Sequence, residues 1–239
     1  MKQRLDKTLF ARKLVASRSS AENLIKLGMV EVNGKAQNVA STLVDDCDNI
    51  KVTAEDRFVS RAGLKLASVA QKLSLDFKDK TVLDVGSSTG GFTDYALQHG
   101  AKYVIAVDVG TNQLHPSLHG DKRIELHEQT DIRKFVTDSS IDIVVIDVSF
   151  VSLRDILPSV AALVTKKAQV VAMVKPQFEA GKEQINKGVI KNDRMRRDIL
   201  KNFELWSRQY FVIIDKADSE VAGAKGNLER FYLLKKLTK

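Results

Sequence analysis

The chain has 239 residues, 44% of them hydrophobic, which is enough for one substantial core plus a small appendage. Cys47 is the single cysteine, no Cys/His cluster suggests a metal, the charged N-terminal residues lack the apolar core of a secretory signal, and no apolar run reaches the roughly 20 residues that span a bilayer. We therefore expect a cytoplasmic protein without integral membrane association, and its net charge of +8 favours a polyanionic partner.

Residues 1–54 are predicted to form a small α+β domain. Its elements are two helices followed by short strands, over residues 4–13, 21–27, 29–32 and 50–53. Ser19 or Ser20 is expected to cap the second helix, Gly28 to end it, and Asn33-Gly34 to form a tight hairpin turn. Residues 1–35 carry eight basic side chains against three acidic ones, so the basic charge of this domain is concentrated in its first part.

A charged linker over residues 55–60 is predicted to lead into a second domain, residues 61–239. A helix is expected over 63–73, after which strands and helices alternate. The predicted strands are 81–85, 103–107, 123–126, 142–146, 169–174, 210–214 and 230–234, and the predicted helices are 91–99, 152–164 and 191–207. This alternation predicts an α/β domain with a mostly parallel seven-stranded sheet and helices on both faces. In such sheets the ligand lies outside the carboxyl ends of the strands.

The first of these strands ends in a glycine-rich turn, Asp84-Val-Gly-Ser-Ser-Thr-Gly-Gly-Phe92. Glycines allow tight turning and close approach to a ligand, and the hydroxyls of Ser87, Ser88 and Thr89 offer hydrogen bonds. The spacing differs from G-x-G-x-x-G, so a dinucleotide-dependent oxidoreductase is poorly supported.

Four carboxylates follow the carboxyl ends of the first four strands: Asp84, Asp108, Asp131 and Asp147. Each one alone is equally well explained as the cap of the following helix. Together with the glycine-rich turn they indicate an acidic pocket, which suits the cationic sulfonium nucleoside S-adenosylmethionine better than a pyrophosphate. Asp108 is expected to accept ribose hydroxyls and Asp131 the adenine amine. The predicted cofactor-binding residues are Asp84, Gly86, Ser87, Ser88, Thr89, Gly90, Gly91, Phe92, Asp108, Val109, Asp131, Ile132 and Asp147.

Several segments together resemble the TlyA family of rRNA 2′-O-methyltransferases, also called hemolysin A. The resembling segments are residues 4–34, 59–66, 84–92, 146–150, 174–179 and 226–229. The resemblance implies a Rossmann-like methyltransferase fold of the FtsJ type behind an N-terminal RNA-binding domain of the ribosomal protein S4 type. It also implies methylation of a ribose 2′-hydroxyl in ribosomal RNA, with cytidine as the expected nucleotide. The catalytic set that it implies is Lys65, Asp147, Lys175 and Glu229.

These residue types fit the chemistry of methyl transfer to a hydroxyl. The sulfonium methyl is already activated, so the protein must align the ribose oxygen and remove its proton. Lysine accepts a proton only in its neutral form, which burial and a second cation favour. Lys175 is therefore predicted as the proton acceptor, with Lys65, Asp147 and Glu229 positioning it and the ribose.

Basic side chains of the N-terminal domain are predicted to contact RNA phosphates, and these are Arg4, Lys7, Arg12, Lys13 and Arg18. A second group may extend that surface, or simply form a solvated helix face: Lys187, Lys191, Arg194, Arg196 and Arg197. The expected partners are ribosomal RNA or ribosomal subunits. Two alternatives were weighed, a non-catalytic RNA-binding or ribosome-assembly factor and a membrane-active hemolysin. The first does not need Lys65, Lys175 and Glu229 together, and the second needs an apolar or strongly amphipathic segment that the sequence lacks.

Overall fold

The computed structural model describes residues 2–15, 18–26, 28–53, 58–180, 189–190, 192–223 and 226–237. Up to residue 53, the described elements are β1 (Gln3–Arg4), α1 (Leu5–Ala11), α2 (Arg18–Lys26), β2 (Val30–Val32), β3 (Lys35–Gln37), β4 (Leu43–Val44) and β5 (Ile50–Val52). Strand β2 pairs antiparallel with β3 and β5, and β1 pairs with β4. The predicted α+β arrangement is thus present.

This N-terminal part has its own buried cluster, in which Leu5 and Leu9 of α1 pack with Ala21 and Ile25 of α2. Both helices therefore bury the apolar positions that recur at a spacing of four. Helix α2 begins at Arg18 and not at residue 21, so the prediction that Ser19 or Ser20 caps it was wrong: both lie inside its first turn. The hairpin turn is confirmed by positive φ angles at positions 33 and 34.

Residues from 58 onward form the larger part of the molecule; residues 55–57 of the predicted linker lie outside the described ranges. Its helices are α3 (Arg61–Ala70), α4 (Gly91–Gln98), α5 (Leu153–Leu163), α6 (Pro176–Glu179) and α7 (Asp193–Ser207). Its strands are β6 (Thr81–Val85), β7 (Tyr103–Val107), β8 (Ile124–His127), β9 (Ile143–Ile146), β10 (Gln169–Val174), β11 (Phe211–Asp218) and β12 (Arg230–Lys236).

These seven described strands form one sheet in the order β11-β12-β10-β9-β6-β7-β8. Strands β6 to β10 run parallel, and β12 runs antiparallel to both of its neighbours. The predicted mostly parallel seven-stranded sheet is confirmed.

Helices cover both faces of the sheet. Along β6, Leu83 and Val85 pack in a cluster with residues of α5 and α7, whereas Val82 packs in a second cluster with residues of α3 and α4. This alternation follows from the two-residue period of a strand. Because both faces are covered, the open place for a ligand is the edge at which the parallel strands end.

Candidate active site

The register of the sheet brings polar residues from distant parts of the chain to one edge. Strand β6 pairs with β9 so that Val85 lies opposite Ile146. Asp147 directly follows Ile146, the last residue of β9. Strand β10 pairs with β12 so that Val174 lies opposite Arg230. Because β12 is antiparallel, the residue after β10, Lys175, and the residue before β12, Glu229, are neighbours across the sheet.

The Lys175 ammonium group is held by two side chains of the loop after β9. Its Nζ lies 2.5 Å from Asp147 Oδ1 and donates a hydrogen bond to Ser149 Oγ at 2.7 Å. The Lys175 side chain is 9% exposed and that of Asp147 is 15% exposed. The nitrogen is therefore largely shielded from water, and its contacts fix the direction from which it meets a substrate. Sequence reasoning had not identified Ser149.

A second buried ion pair joins Lys65 of α3 to Glu229, with 2.7 Å between Nζ and Oε2. The Glu229 side chain is 1% exposed. It fits only because position 223 is glycine: a Cβ there would lie 2.2 Å from Glu229 Oε1. Helix α3 begins at Arg61, two residues before the predicted start, and is capped by Ser60, whose Oγ accepts a hydrogen bond from Ala62 N.

The glycine-rich turn borders a cleft of about 430 Å³ that opens to solvent. Gly86 has φ of 80°, and a Cβ there would lie 2.7 Å from the carbonyl oxygen of Asp147, so this position requires glycine for both reasons. The residues lining the cleft are Ala62, Asp84, Gly86, Ser87, Ser88, Thr89, Phe92, Asp147, Ser149 and Lys175. The cleft thus joins seven of the residues predicted for the cofactor to the lysine predicted for proton transfer, whereas Gly90, Gly91, Asp108 and Val109 are not part of its lining.

Asp84 lies at the base of this cleft and is fully buried. Its Oδ2 accepts a hydrogen bond from Thr93 Oγ1 at 2.7 Å, while Oδ1 has no hydrogen-bond partner within the described residues. Burial raises the pKa of Asp84 to about 7, and the nearby Asp147 and Asp108 carboxylates act in the same direction. The Ser87 hydroxyl, also buried, similarly lacks a described partner. These groups are suited to a polar ligand that brings positive charge.

Asp108 directly follows β7, and its carboxylate accepts hydrogen bonds from backbone amides of two turns. Its Oδ2 accepts from Ser88 N at 2.8 Å and its Oδ1 from Gly110 N at 2.7 Å. It is half-buried, and Val109 beside it is 73% exposed. The bond to Ser88 fixes the cofactor turn, and each carboxylate oxygen retains a second lone pair for a ligand hydroxyl.

The structure does not bring Asp131 or Ile132 into the cleft lining. The Asp131 carboxylate is bound by the Arg133 guanidinium, at 2.6 Å for the nearest pair, and accepts from the Arg133 amide at 2.9 Å. The guanidinium lowers the pKa of Asp131 to about 2. The Ile132 side chain is 4% exposed and packs in the core. Asp131 thus bonds within its own turn, and no described helix begins there for it to cap.

Phe150 is an aromatic residue next to the cleft that the sequence pattern does not single out. Phe150, one residue after Ser149, is 93% exposed, and its backbone is left-handed with φ of 66°. Its ring centroid lies 5.2 Å from that of Phe178. An exposed ring held in a rare backbone conformation is typical of a functional surface.

Four of the five basic residues predicted to bind RNA in the N-terminal part are exposed, and these are Arg4, Lys7, Lys13 and Arg18. Arg4 and Arg18 also bind Asp6, which is fully buried and whose pKa falls to about 2, because these two arginine bonds outweigh its burial. Arg12 differs from the prediction most clearly. Its guanidinium donates to three backbone carbonyls, those of residues 45, 46 and 48, at 2.9 to 3.2 Å.

The second basic group, predicted over residues 187–197, also contains both exposed and bonded side chains. Lys187 and Lys191 lie outside the described residues. Arg194 and Arg197 are exposed on α7, whereas Arg196 bonds the Asp218 carboxylate at 2.6 Å and the carbonyl of residue 228 at 3.1 Å. Charge in a sequence therefore does not separate surface arginines from those that support the fold.

Comparisons with known proteins agree over nearly the whole chain. The model of the FtsJ-like methyltransferase family matches residues 58–236, and that of the S4 domain matches residues 3–50. The chain is 38% identical to the putative rRNA methyltransferase YqxC of Bacillus subtilis, over 95% of the chain and 84% of that protein. It is 33% identical to the 23S rRNA (cytidine-2′-O)-methyltransferase TlyA of Campylobacter jejuni, over 93% and 95% of the two chains. A solved structure described as a putative hemolysin from Streptococcus thermophilus covers 100% of the chain and 90% of its own, with a TM-score of 0.75 and 37% identity.

In the part of the chain that the structure describes, no helix is both long and apolar enough to cross a membrane. The same described residues contain no group of three or more His, Cys, Asp or Glu side chains placed to hold a metal ion.

Proposed function

The chain belongs to the TlyA family of FtsJ-like methyltransferases, and we propose that it transfers a methyl group from S-adenosylmethionine to a ribose 2′-hydroxyl of ribosomal RNA. The observation that carries this proposal is the pair of buried lysine–carboxylate contacts at the edge of the glycine-rich cleft. A cofactor site alone is compatible with many acceptors. Two lysines beside it suit an acceptor whose proton must be removed.

The residues of the cleft fit S-adenosylmethionine. The buried Asp84 oxygen and the buried Ser87 hydroxyl have no partner in the described residues, and both line the cleft. A ligand ammonium or sulfonium charge near Asp84 would offset the repulsion from Asp147 and Asp108 that raises its pKa. We propose that Asp84, residues 86–92, Asp108, Val109 and Asp147 hold the cofactor. Asp131 and Ile132 remain predictions for the adenine side, where the backbone or a rearranged Asp131 would have to serve.

When bound, the cofactor supplies a methyl group already activated on a sulfonium sulfur. The chain's own residues then have two tasks, alignment of the ribose oxygen and removal of its proton. An unprotonated Lys175 would accept that proton at Nζ as the 2′-oxygen forms its bond to the methyl carbon and the bond from that carbon to sulfur breaks. Asp147 and Ser149 direct the nitrogen into the cleft. The Lys65–Glu229 ion pair, which the pairing of β10 with β12 brings beside Lys175, orients the ribose.

Ribosomal RNA is the proposed substrate because the chain couples this site to a match with the S4 domain and to exposed basic side chains. Lys7 and Lys13 would contact phosphates, while Arg4 and Arg18 combine such contacts with their bonds to Asp6. The Phe150 ring, which is exposed, would stack on the base of the target nucleotide. By family likeness that nucleotide is a cytidine. A ribosomal substrate places the reaction in the cytoplasm.

Different parts of the chain are proposed to have different functions. We propose that residues 1–54 bind RNA, that residues 55–60 link the parts, and that residues 61–239 carry out methyl transfer. Each part has its own buried cluster, although Met29 of the first part packs in the α3–α4 cluster of the second.

The proposal is tested by incubating the purified protein with methyl-labelled S-adenosylmethionine and separated ribosomal subunits. We expect label in rRNA at linkages that resist alkaline hydrolysis, because a 2′-O-methyl group blocks attack by the 2′-oxygen. Label on a base, or on no RNA from either subunit, would contradict the proposal.

A further inference from the structure

A buried carboxylate behind the cleft has no part in the chemistry described so far. Glu179 is the last residue of α6, and its side chain is 1% exposed. Both of its oxygens are hydrogen bonded to the start of α5: Oε1 accepts from the Leu153 amide at 2.7 Å, and Oε2 accepts from Ser152 Oγ at 2.7 Å. A carboxylate at the N-terminus of a helix is favoured by the unpaired amides there. Here it comes from another element, 27 residues away.

The two elements that Glu179 joins are those that carry the proton-transfer site. Helix α6 begins directly after Lys175. Helix α5 begins directly after residues 147–152, which we call the 147–152 loop, and this loop carries Asp147 and Ser149. Lys175 touches the loop on its cleft side, and Glu179 bonds the end of the same loop. The contacts of Lys175 and those of Glu179 therefore connect the 147–152 loop to the two ends of helix α6.

The conformation of the 147–152 loop requires stabilising contacts. Phe150 lies within it in a left-handed conformation that costs of order 1 kcal/mol or more for a residue with a side chain. Ser152 both caps α5, by accepting from the Arg154 amide at 3.1 Å, and donates to Glu179. Loss of the Glu179 carboxylate would leave the loop held mainly by its strand and by the lysine contact itself.

We propose that Glu179 is a positioning residue for methyl transfer, which holds the 147–152 loop so that Asp147 and Ser149 stay within hydrogen-bond distance of Lys175 Nζ. The inference rests on the proposed function, because it takes Lys175 as the proton acceptor. The competing interpretation is a helix cap that contributes to folding stability alone. A positioning role predicts that kcat per cofactor-binding site falls when Glu179 is replaced, whereas a capping role alone predicts that only folding stability falls.

The test compares Glu179→Ala and Glu179→Gln with the unaltered chain, by steady-state kinetics on ribosomal subunits and calorimetric titration with S-adenosylmethionine. Rates are expressed per cofactor-binding site, so that misfolded protein does not count. We expect Glu179→Ala to lower kcat by about 10- to 100-fold, since small misplacements of reacting groups have effects of this size. The cofactor dissociation constant should change far less than kcat, because Asp147 is the only proposed cofactor residue in the loop and the glycine-rich turn lies on β6 and α4. Glu179→Gln keeps the size and one acceptor oxygen for the Leu153 amide, and the Ser152 hydroxyl can accept from its amide nitrogen, so this variant should recover most of kcat.

Two further variants separate positioning from general destabilisation. Ser152→Ala combined with Glu179→Ala should be no slower than Glu179→Ala alone, because Ser152 is linked to the loop's position through that carboxylate. Glu204→Ala is the matched control: this acid bonds Lys216 and Tyr232 instead, so its loss should lower stability and leave kcat per binding site unchanged. The inference is overturned if Glu179→Ala keeps kcat within about twofold, if cofactor affinity falls in parallel with kcat, or if the glutamine variant is as slow as the alanine variant. Failure of the unaltered chain to methylate rRNA would instead refute the proposed function.

Discussion

Replacement of Asp84 by asparagine is expected to stabilise the protein above neutral pH while weakening its hold on the cofactor. The folded protein raises the pKa of this carboxyl from its ordinary 3.8 to about 7, first because of burial and then because of Asp147 and Asp108. At 1.36 kcal/mol for each pKa unit, the buried charge costs up to about 4 kcal/mol of unfolding free energy. Asparagine has nearly the same shape and can still accept from Thr93.

The sign of the effect depends on pH. Because the folded state binds this proton more tightly than the unfolded state, the contribution is fully stabilising below pH 3.8 and is lost as pH rises to about 7. We therefore expect Asp84→Asn to gain about 2–4 kcal/mol over the unaltered chain at pH 8 and close to nothing at pH 4. Urea unfolding followed at both pH values measures the difference.

The cofactor should respond in the opposite direction. A hydrogen bond to a charged group contributes about 1.5–3 kcal/mol, so calorimetric titration at pH 8 should give a dissociation constant about 10- to 100-fold weaker for Asp84→Asn. Thr93→Val serves as the control, because it removes the donor to Asp84 Oδ2 and should destabilise the protein at pH 8. The reasoning fails if Asp84→Asn is less stable than the unaltered chain at pH 8, or if cofactor affinity is unchanged.

Expected outcomes for four other substitutions follow from the geometry. Gly223→Ala should displace Glu229, and kinetics should show kcat falling at least about 10-fold with cofactor affinity retained. Phe150→Ala should leave the melting temperature unchanged, because the ring is exposed, but raise KM for ribosomal subunits by roughly 5- to 50-fold through lost base stacking. Arg12→Ala should cost about 1–3 kcal/mol in urea unfolding because three carbonyls lose their donor, whereas Lys7→Ala should leave stability unchanged and reduce the salt dependence of RNA binding in filter assays.

The strand ends of the larger domain were predictable from the sequence because each is a buried apolar run followed by a polar residue. Asp84, Asp147 and Lys175 are of this kind, and parallel strands place such residues at one edge whatever the details of packing. Element boundaries differed by up to a few residues. Strand β11 extends to Asp218, four residues past its predicted end, with a register shift between Ile213 and Asp215.

Other features depend on contacts between distant residues, which no local pattern records. Glu179 meets Ser152 across 27 positions, and Arg12 meets its carbonyls across at least 33. Strands of two residues, such as β1 and β4, are too short for a period to appear. The exposure of Phe150 likewise follows from a left-handed turn that its sequence does not require.

One paired measurement tests whether Lys175 serves a ribose 2′-oxygen beside an S-adenosylmethionine cleft. The unaltered chain and Lys175→Ala are incubated with ribosomal subunits and cofactor, and the RNA is digested to nucleosides for mass spectrometry. We expect 2′-O-methylcytidine from the unaltered chain and at least about 100-fold less from Lys175→Ala, with cofactor affinity within about threefold. Equal yields of 2′-O-methylcytidine from the two proteins would contradict this role of Lys175.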